Sequence, residues 1–128
     1  MPREYVWRAV SALVAAYAVN AVLVGGSEAI LEWAFPEVAG RPPLSYFVID
    51  VITQCLYTVF AGYVCYRIAR SSRPLALFGL IGVGVIVGAA FLRASWEKEP
   101  HWYGITLLAA FPLCAWIGWA LAATRNER

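Results

Sequence analysis

The chain has 128 residues, of which 62% are hydrophobic and 14% are charged. An average soluble domain is about 45–50% apolar and about a quarter charged, so this composition excludes an ordinary soluble domain. The formal net charge is +2, and the charges form no basic stripe, which argues against a nucleic-acid partner. We therefore expect one integral membrane domain over residues 1–128, surrounded by the lipid bilayer.

Four long uncharged runs predict four transmembrane helices, because a hydrocarbon core about 30 Å thick needs about 20 apolar helical residues. We expect these helices over residues 5–35, 44–69, 74–93 and 101–124. Short connections favour antiparallel neighbours. The predicted fold is thus an all-α membrane protein, a four-transmembrane-helix up-down-up-down bundle.

The first predicted helix carries polar residues toward its C-terminal end. Glu28 and Glu32 are one helical turn apart and share a face. Asn20 lies about two turns earlier, inside the apolar run. Prolines and glycines end the helix at Pro36, Gly40, Pro42 and Pro43.

The second predicted helix contains the strongest candidate for a polar intramembrane site. Asp50 and Gln54 are four residues apart, so they form one polar stripe on an apolar helix. An ionisable group within a span is costly and usually faces the bundle interior or a cavity. We expect Asn20 or Arg93 to be its partner. Three interpretations stay open for Asp50: a structural clasp between helices, a carboxylate that binds a proton or substrate, or a shallow interfacial charge.

The third predicted helix follows a tight turn at residues 70–74 and is rich in glycine. Gly84 and Gly88 have the spacing that allows two helix backbones to approach closely in lipid. We expect a helix-packing contact at these glycines. The neighbour is either another helix of this chain or a second protein.

The segment before the fourth helix has a weak metal-ligand pattern. His101 lies near Glu97 and Glu99, but one imidazole with two carboxylates on a charged loop does not make up a closed site. We expect no metal and no cofactor. Known catalytic motifs are absent, so we expect no enzyme. Three cysteines without C-x-x-C spacing fit apolar packing positions: Cys55, Cys65 and Cys114.

Basic residues predict the orientation. Seven of the ten lie at the expected ends of helices on one side, which should be cytoplasmic, with both termini there. Aromatic residues at the opposite ends indicate an interfacial belt, and they are Trp33, Tyr46, Trp96, Trp102 and Tyr103.

Two stretches carry a family resemblance. They are Trp96–Tyr103, followed by Pro112 and Gly118, and Ala61–Arg70 at the end of the second helix. Through them the C-terminal two thirds of the chain resembles a loose class of uncharacterised small bacterial proteins with four transmembrane helices. The resemblance implies that fold and a bacterial inner (cytoplasmic) membrane, and it implies no activity.

Two functions are consistent with these features. The chain is expected to be an accessory or scaffold subunit of a larger membrane assembly, with the glycine-rich helix as the docking surface. The alternative is a small homo-oligomeric transporter or channel that uses Asp50 and Gln54 at its pathway.

Overall fold

The computed structural model describes residues 3–35 and 44–126, and these residues are almost entirely helical. Four α-helices occur: α1 (Arg3–Ala34), α2 (Leu44–Ala69), α3 (Arg73–Ala94) and α4 (His101–Asn126). A 3-10 turn at Arg70–Ser72 joins α2 to α3. The residues expected to end the first helix, from Pro36 to Pro43, lie outside the described residues.

The predicted four-transmembrane-helix up-down-up-down bundle is wrong in its number of separate spans. Helical structure runs without interruption from Leu44 to Ala94, a segment of 51 residues. The expected loop is absent because residues 70–72 are themselves helical and Pro74 lies in the first turn of α3, where no N–H is needed. The described residues therefore contain three continuous helical segments long and apolar enough to cross a membrane: Arg3–Ala34, Leu44–Ala94 and His101–Arg125.

The long middle segment contains the 3-10 turn at Arg70–Ser72, and α2 and α3 on its two sides are in contact with each other. Arg70 has a φ of 48°, which is uncommon for a residue other than glycine. The Arg73 guanidinium lies 3.8 Å from the centroid of the Tyr66 ring, and its Nε donates to the Tyr66 carbonyl at 3.3 Å. The Ser72 hydroxyl donates to the Tyr5 carbonyl. The start of α1 is thereby fixed to the turn, and we call this end of the molecule the inner half.

Small residues form the core of the inner half, where α1, α2 and α3 meet. Their short side chains allow close packing of the helices, as is common for helices in lipid. The α2 and α4 backbones also approach closely. A Cβ on Gly118 would overlap with the Val59 carbonyl, and a Cβ on Gly62 would overlap with that of Ala115. The core residues are Ala9, Ala12, Ala16, Ala61, Cys65, Ala69, Ala76, Leu80 and Ala115.

The two glycines singled out on α3 face α4 of the same chain. A Cβ on Gly84 would overlap with the Phe111 ring, and one on Gly88 would lie 3.0 Å from Leu108 Cδ1. These contacts are side chains packed over glycine, whereas the closest backbone approach is at Gly118. The neighbour of Gly84 and Gly88 is therefore intramolecular.

Large apolar side chains cover the outside of the helices. Trp33 is 87% exposed, Phe78 76% and Val22 74%. Exposed apolar surface of this extent is unfavourable in water and favourable in lipid. With the three apolar helical segments, it identifies the chain as a membrane protein. The predicted aromatic belt is wrong for Tyr103, which is only 6% exposed and points into the bundle.

Candidate functional site

A cavity of about 430 Å³ lies between the helices at the end of the molecule opposite the 3-10 turn. We call this end the outer half and the space the interhelical cavity. One part of its wall is apolar and is formed by residues such as Phe111, Leu107 and Leu108 of α4. The other part is polar and is lined by Asn20, Glu28, Gln54, Glu99 and Tyr103.

The cavity begins where the close packing between α1 and α3 ends. In the inner half the Tyr17 hydroxyl donates to the Leu80 carbonyl, and a Cβ on Gly79 would lie 2.8 Å from Leu13 Cδ1. Farther along both helices, Asn20 and Glu28 of α1 line the cavity. The α3 residues Gly84 and Gly88 also line it, and the Phe111 and Leu108 side chains of α4 pack over them. The same helices are therefore closely packed in the inner half and separated by a cavity in the outer half.

Asp50 is the centre of a polar network beside the cavity. It is 1% exposed, and its Oδ2 accepts hydrogen bonds from Gln54 Nε2 at 2.9 Å and from the Tyr103 hydroxyl. Gln54 Nε2 also lies 3.2 Å from the Tyr103 hydroxyl and 3.5 Å from Glu28 Oε1. Gln54 and Tyr103 line the cavity, whereas Asp50 lies behind them. Asp50 therefore orients the two groups that a ligand would touch.

The structure brings together Asp50 and Gln54, but neither expected partner of Asp50 bonds to it: Asn20 lines the same cavity without a hydrogen bond to Asp50. Asp50 Oδ1 has no hydrogen-bond partner among the described residues, and neither has Asn20 Oδ1, although both atoms are buried. Arg93 lies in a separate shallow concavity beside Trp96. It is exposed at the end of α3, so its guanidinium stays at the surface.

Two residues of the network were missed by sequence reasoning. The sequence predicts Tyr103 to be in the interfacial belt, because an aromatic residue at the end of a helix has the same sequence signature in either role. Glu28 was noted only for its spacing to Glu32. A useful signal was available for Glu28, because it is eight residues from Asn20 and therefore lies on the same face of α1.

The polar wall of the cavity is acidic. Glu28 and Glu99 line it, and no basic side chain is found among the described lining residues. Burial raises the pKa of Glu99 above its ordinary value, and the negative charge of Asp50 adds to this, while a hydrogen bond with Ser95 acts in the opposite direction. A protonated or cation-paired carboxyl is therefore favoured here over a free carboxylate.

The described residues contain no group of three or more metal-ligating side chains of the histidine, cysteine, aspartate and glutamate types. His101 is exposed and stacks on Trp96, with 3.6 Å between the ring centroids. The two rings form a surface pair outside the cavity. Cys55 and Cys114 line the cavity as free thiols, and Cys65 is fully buried in the core.

Comparisons with protein family models, curated proteins and solved structures found no match for this chain.

Proposed function

We propose that the chain is a small membrane carrier that binds an organic cation in the interhelical cavity. The supporting observation is the lining of the cavity, which combines carboxylates and apolar side chains without a basic residue among those described. Carboxylates at membrane depth are costly unless they are paired with an opposite charge or protonated. A cationic ligand supplies that charge.

The rest of the wall favours a cation with an apolar part. Phe111 and Tyr103 provide aromatic rings, which attract ammonium groups through their negative faces. The leucines of α4 provide an apolar surface, and a volume of about 430 Å³ falls within the range of small-molecule sites. A quaternary ammonium or a protonated amine joined to an aromatic or aliphatic body fits this combination.

A carrier is favoured over an open pore. The cavity occupies the outer half, whereas the inner half is filled by the small-residue core. Passage to the other side therefore requires the helices to move, as in alternating access. We propose that Gln54 contacts the ligand and that Asp50 holds Gln54 and Tyr103 in place. Two or more copies of the chain are proposed to act together, because one chain alone provides few polar groups for a complete pathway.

The native cysteines provide a direct test of ligand binding. Cys55 and Cys114 line the cavity, and Cys65 provides an internal reference because it is in the core. The detergent-solubilised protein would be treated with methyl methanethiosulfonate, with and without phenyltrimethylammonium, and the modified peptides would be quantified by mass spectrometry. We expect the cation to slow modification of Cys55 and Cys114 and to leave Cys65 unchanged.

The neutral isostere tert-butylbenzene is the matched control for this experiment. It has the shape of phenyltrimethylammonium without the charge, so it should protect much less. Equal protection by both compounds would contradict a cation site. Absence of protection by the cation at saturating concentration would contradict binding in the cavity.

The proposed location is a bacterial inner membrane with both termini in the cytoplasm. The start of α1 lies next to the 3-10 turn, and the ring of Trp119 on α4 packs on Tyr66 with 5.0 Å between centroids. The basic residues Arg3 and Arg8 of α1, those of the turn, and Arg125 of α4 are therefore proposed to lie at the inner half, which the positive-inside rule assigns to the cytoplasm. The cavity then lies toward the outside.

An accessory or scaffold role is the second candidate. Gly84 and Gly88 do not support it, because they face α4 of the same chain. Gly25 and Gly26 of α1 support it, since a Cβ at either position would meet nothing within 4 Å. These glycines leave room for a helix of another subunit. Loss of a stoichiometric co-purifying subunit in Gly26→Leu, with wild-type thermal stability, would favour this role, whereas an unchanged subunit composition would contradict it.

A further inference from the structure

Two carboxylates share one amide donor beside the cavity, and they share it unequally. Gln54 Nε2 is 2.9 Å from Asp50 Oδ2 and 3.5 Å from Glu28 Oε1. Asp50 also accepts from the Tyr103 hydroxyl. The negative charge of Asp50 is therefore stabilised by two donors, whereas Glu28 has one long contact among the described residues. Of the two, Glu28 is the carboxyl better suited to hold a proton.

Among the described residues that line the cavity with Glu28, none carries a positive charge. Glu32 lies one turn away on α1, Tyr46 and Asp50 are on α2, Glu99 precedes α4 and Tyr103 is on α4. From α3, no titratable residue is among the described residues that line the cavity. Two neighbouring carboxylates without a counter-charge are not both ionised in a low-dielectric environment.

We propose that Glu28 is a proton–cation exchange site, so that binding of one organic cation in the cavity releases one proton from Glu28. The O–H bond of the carboxyl breaks, the proton passes to water at the outer end, and the carboxylate pairs with the ligand. One positive charge replaces another, and the net charge of the site is unchanged. In a carrier, this exchange would couple movement of the cation to opposite movement of a proton.

This inference rests on the proposed binding of an organic cation, and calorimetry separates the two. Phenyltrimethylammonium has no proton that it can exchange, so any proton released comes from the protein or its solvent. Titration of the cation into wild-type protein in two buffers of different ionisation enthalpy gives the number of protons released. We expect about one proton released per bound cation near neutral pH. Over the pH range in which the free protein holds this proton, the Kd should fall about tenfold for each unit by which the pH rises.

Glu28→Gln lacks the carboxylate that pairs with the ligand, so it should bind the cation more weakly than the wild type at high pH, without proton release and with a Kd that is independent of pH. Glu32→Gln is the matched control, because Glu32 is an exposed carboxylate one turn away on the same helix, and it should keep the wild-type proton release. If Glu28→Gln does not fold, the proton release and the pH dependence of the Kd measured with the wild-type protein still decide whether cation binding displaces a proton.

The outcomes are distinguishable. Binding to wild-type protein without proton release, and with a Kd independent of pH, would overturn the exchange and leave the cation site standing. Unchanged proton release in Glu28→Gln would also overturn it, because the proton would then come from another group. Absence of cation binding to the wild-type protein would overturn the proposed function itself.

Discussion

The inner and outer halves of this molecule use the same helices in opposite ways. In the inner half, alanines and glycines bring the helices together, and Ala12, Ala16 and Ala69 are completely buried. In the outer half, α1 and α3 leave a cavity of about 430 Å³ with polar groups in its wall. Close packing is concentrated in the inner half, and the polar groups that could bind a ligand lie in the outer half.

The difference shows how a small membrane protein can hold carboxylates beside a cavity. A polar group in lipid must be compensated locally, and in the outer half this is done by Gln54 and Tyr103 around Asp50. The inner half contributes by fixing the helices, so that the network keeps its geometry. Substitutions in the inner half should therefore affect stability, and substitutions in the outer half should affect binding more than stability.

The largest effect is expected where α2 and α4 cross. In Gly118→Ala, the new Cβ would overlap with the Val59 carbonyl and lie 3.0 Å from the Tyr63 nitrogen, both of which are backbone atoms. We expect a loss of about 3 kcal/mol in the free energy of unfolding, at the upper end for overpacking. Thermal or denaturant unfolding in detergent measures it. Gly82→Ala is the control, because its Cβ would meet nothing within 4 Å, and equal stability of the two variants would show that the close approach is wrong.

The second largest loss in the free energy of unfolding is expected in the polar network around Asp50. Tyr103→Phe removes the hydroxyl that donates to Asp50 and leaves a buried carboxylate with one donor. Such a loss costs about 1–3 kcal/mol. Tyr57→Phe is the control, since the Tyr57 hydroxyl has no hydrogen bond among the described residues. If both substitutions lowered the unfolding free energy equally, the bond between Tyr103 and Asp50 would not be the cause.

The two glycines of α3 should differ from each other. Gly84→Ala forces the Phe111 ring to move, and we expect a cost of about 1–2 kcal/mol. Gly88→Ala should be close to neutral, because its Cβ would lie 3.0 Å from the end of the flexible Leu108 side chain. Chemical denaturation of both variants measures the difference. A larger cost at Gly88 would contradict the described orientation of α3 against α4.

The smallest effect is a pH dependence from Glu99. Burial raises its pKa in the folded protein, so the folded state binds more protons than the unfolded state just above the ordinary pKa. Its contribution to stability therefore falls as pH rises through the raised pKa and recovers at lower pH. Glu99→Gln should gain melting temperature over the wild type as the pH increases above the ordinary glutamate pKa of about 4. A constant difference between the two proteins would contradict the raised pKa.

Part of this arrangement is predictable from the sequence, because it depends on local patterns. The four-residue spacing of Asp50 and Gln54 places them on one face of α2. The glycine spacing on α3 predicts a packed helix face. Apolar runs predict the membrane-spanning character of the chain. These features arise within a single helix and need no knowledge of its neighbours.

The rest depends on contacts between distant parts of the chain. The Tyr103 side chain points inward because of the rotation of α4 about its own axis. That rotation is set where α4 crosses α2 at Gly118. The absence of Arg93 from the network follows from its exposure at the end of α3. Residues 70–72 contain no signal that separates a helical turn from a loop, so the number of continuous helical segments could not be predicted.

The most direct test of the account is the position of a bound cation. Crystals grown with 4-bromophenyltrimethylammonium would be measured at the bromine absorption edge. We expect one anomalous peak in the interhelical cavity beside Phe111 and Leu108, with density for the ammonium group extending toward Glu28 and Tyr103. A peak only on the lipid-facing surface of the helices, or density with the ammonium group at Phe111 and away from the carboxylates, would contradict the cation site.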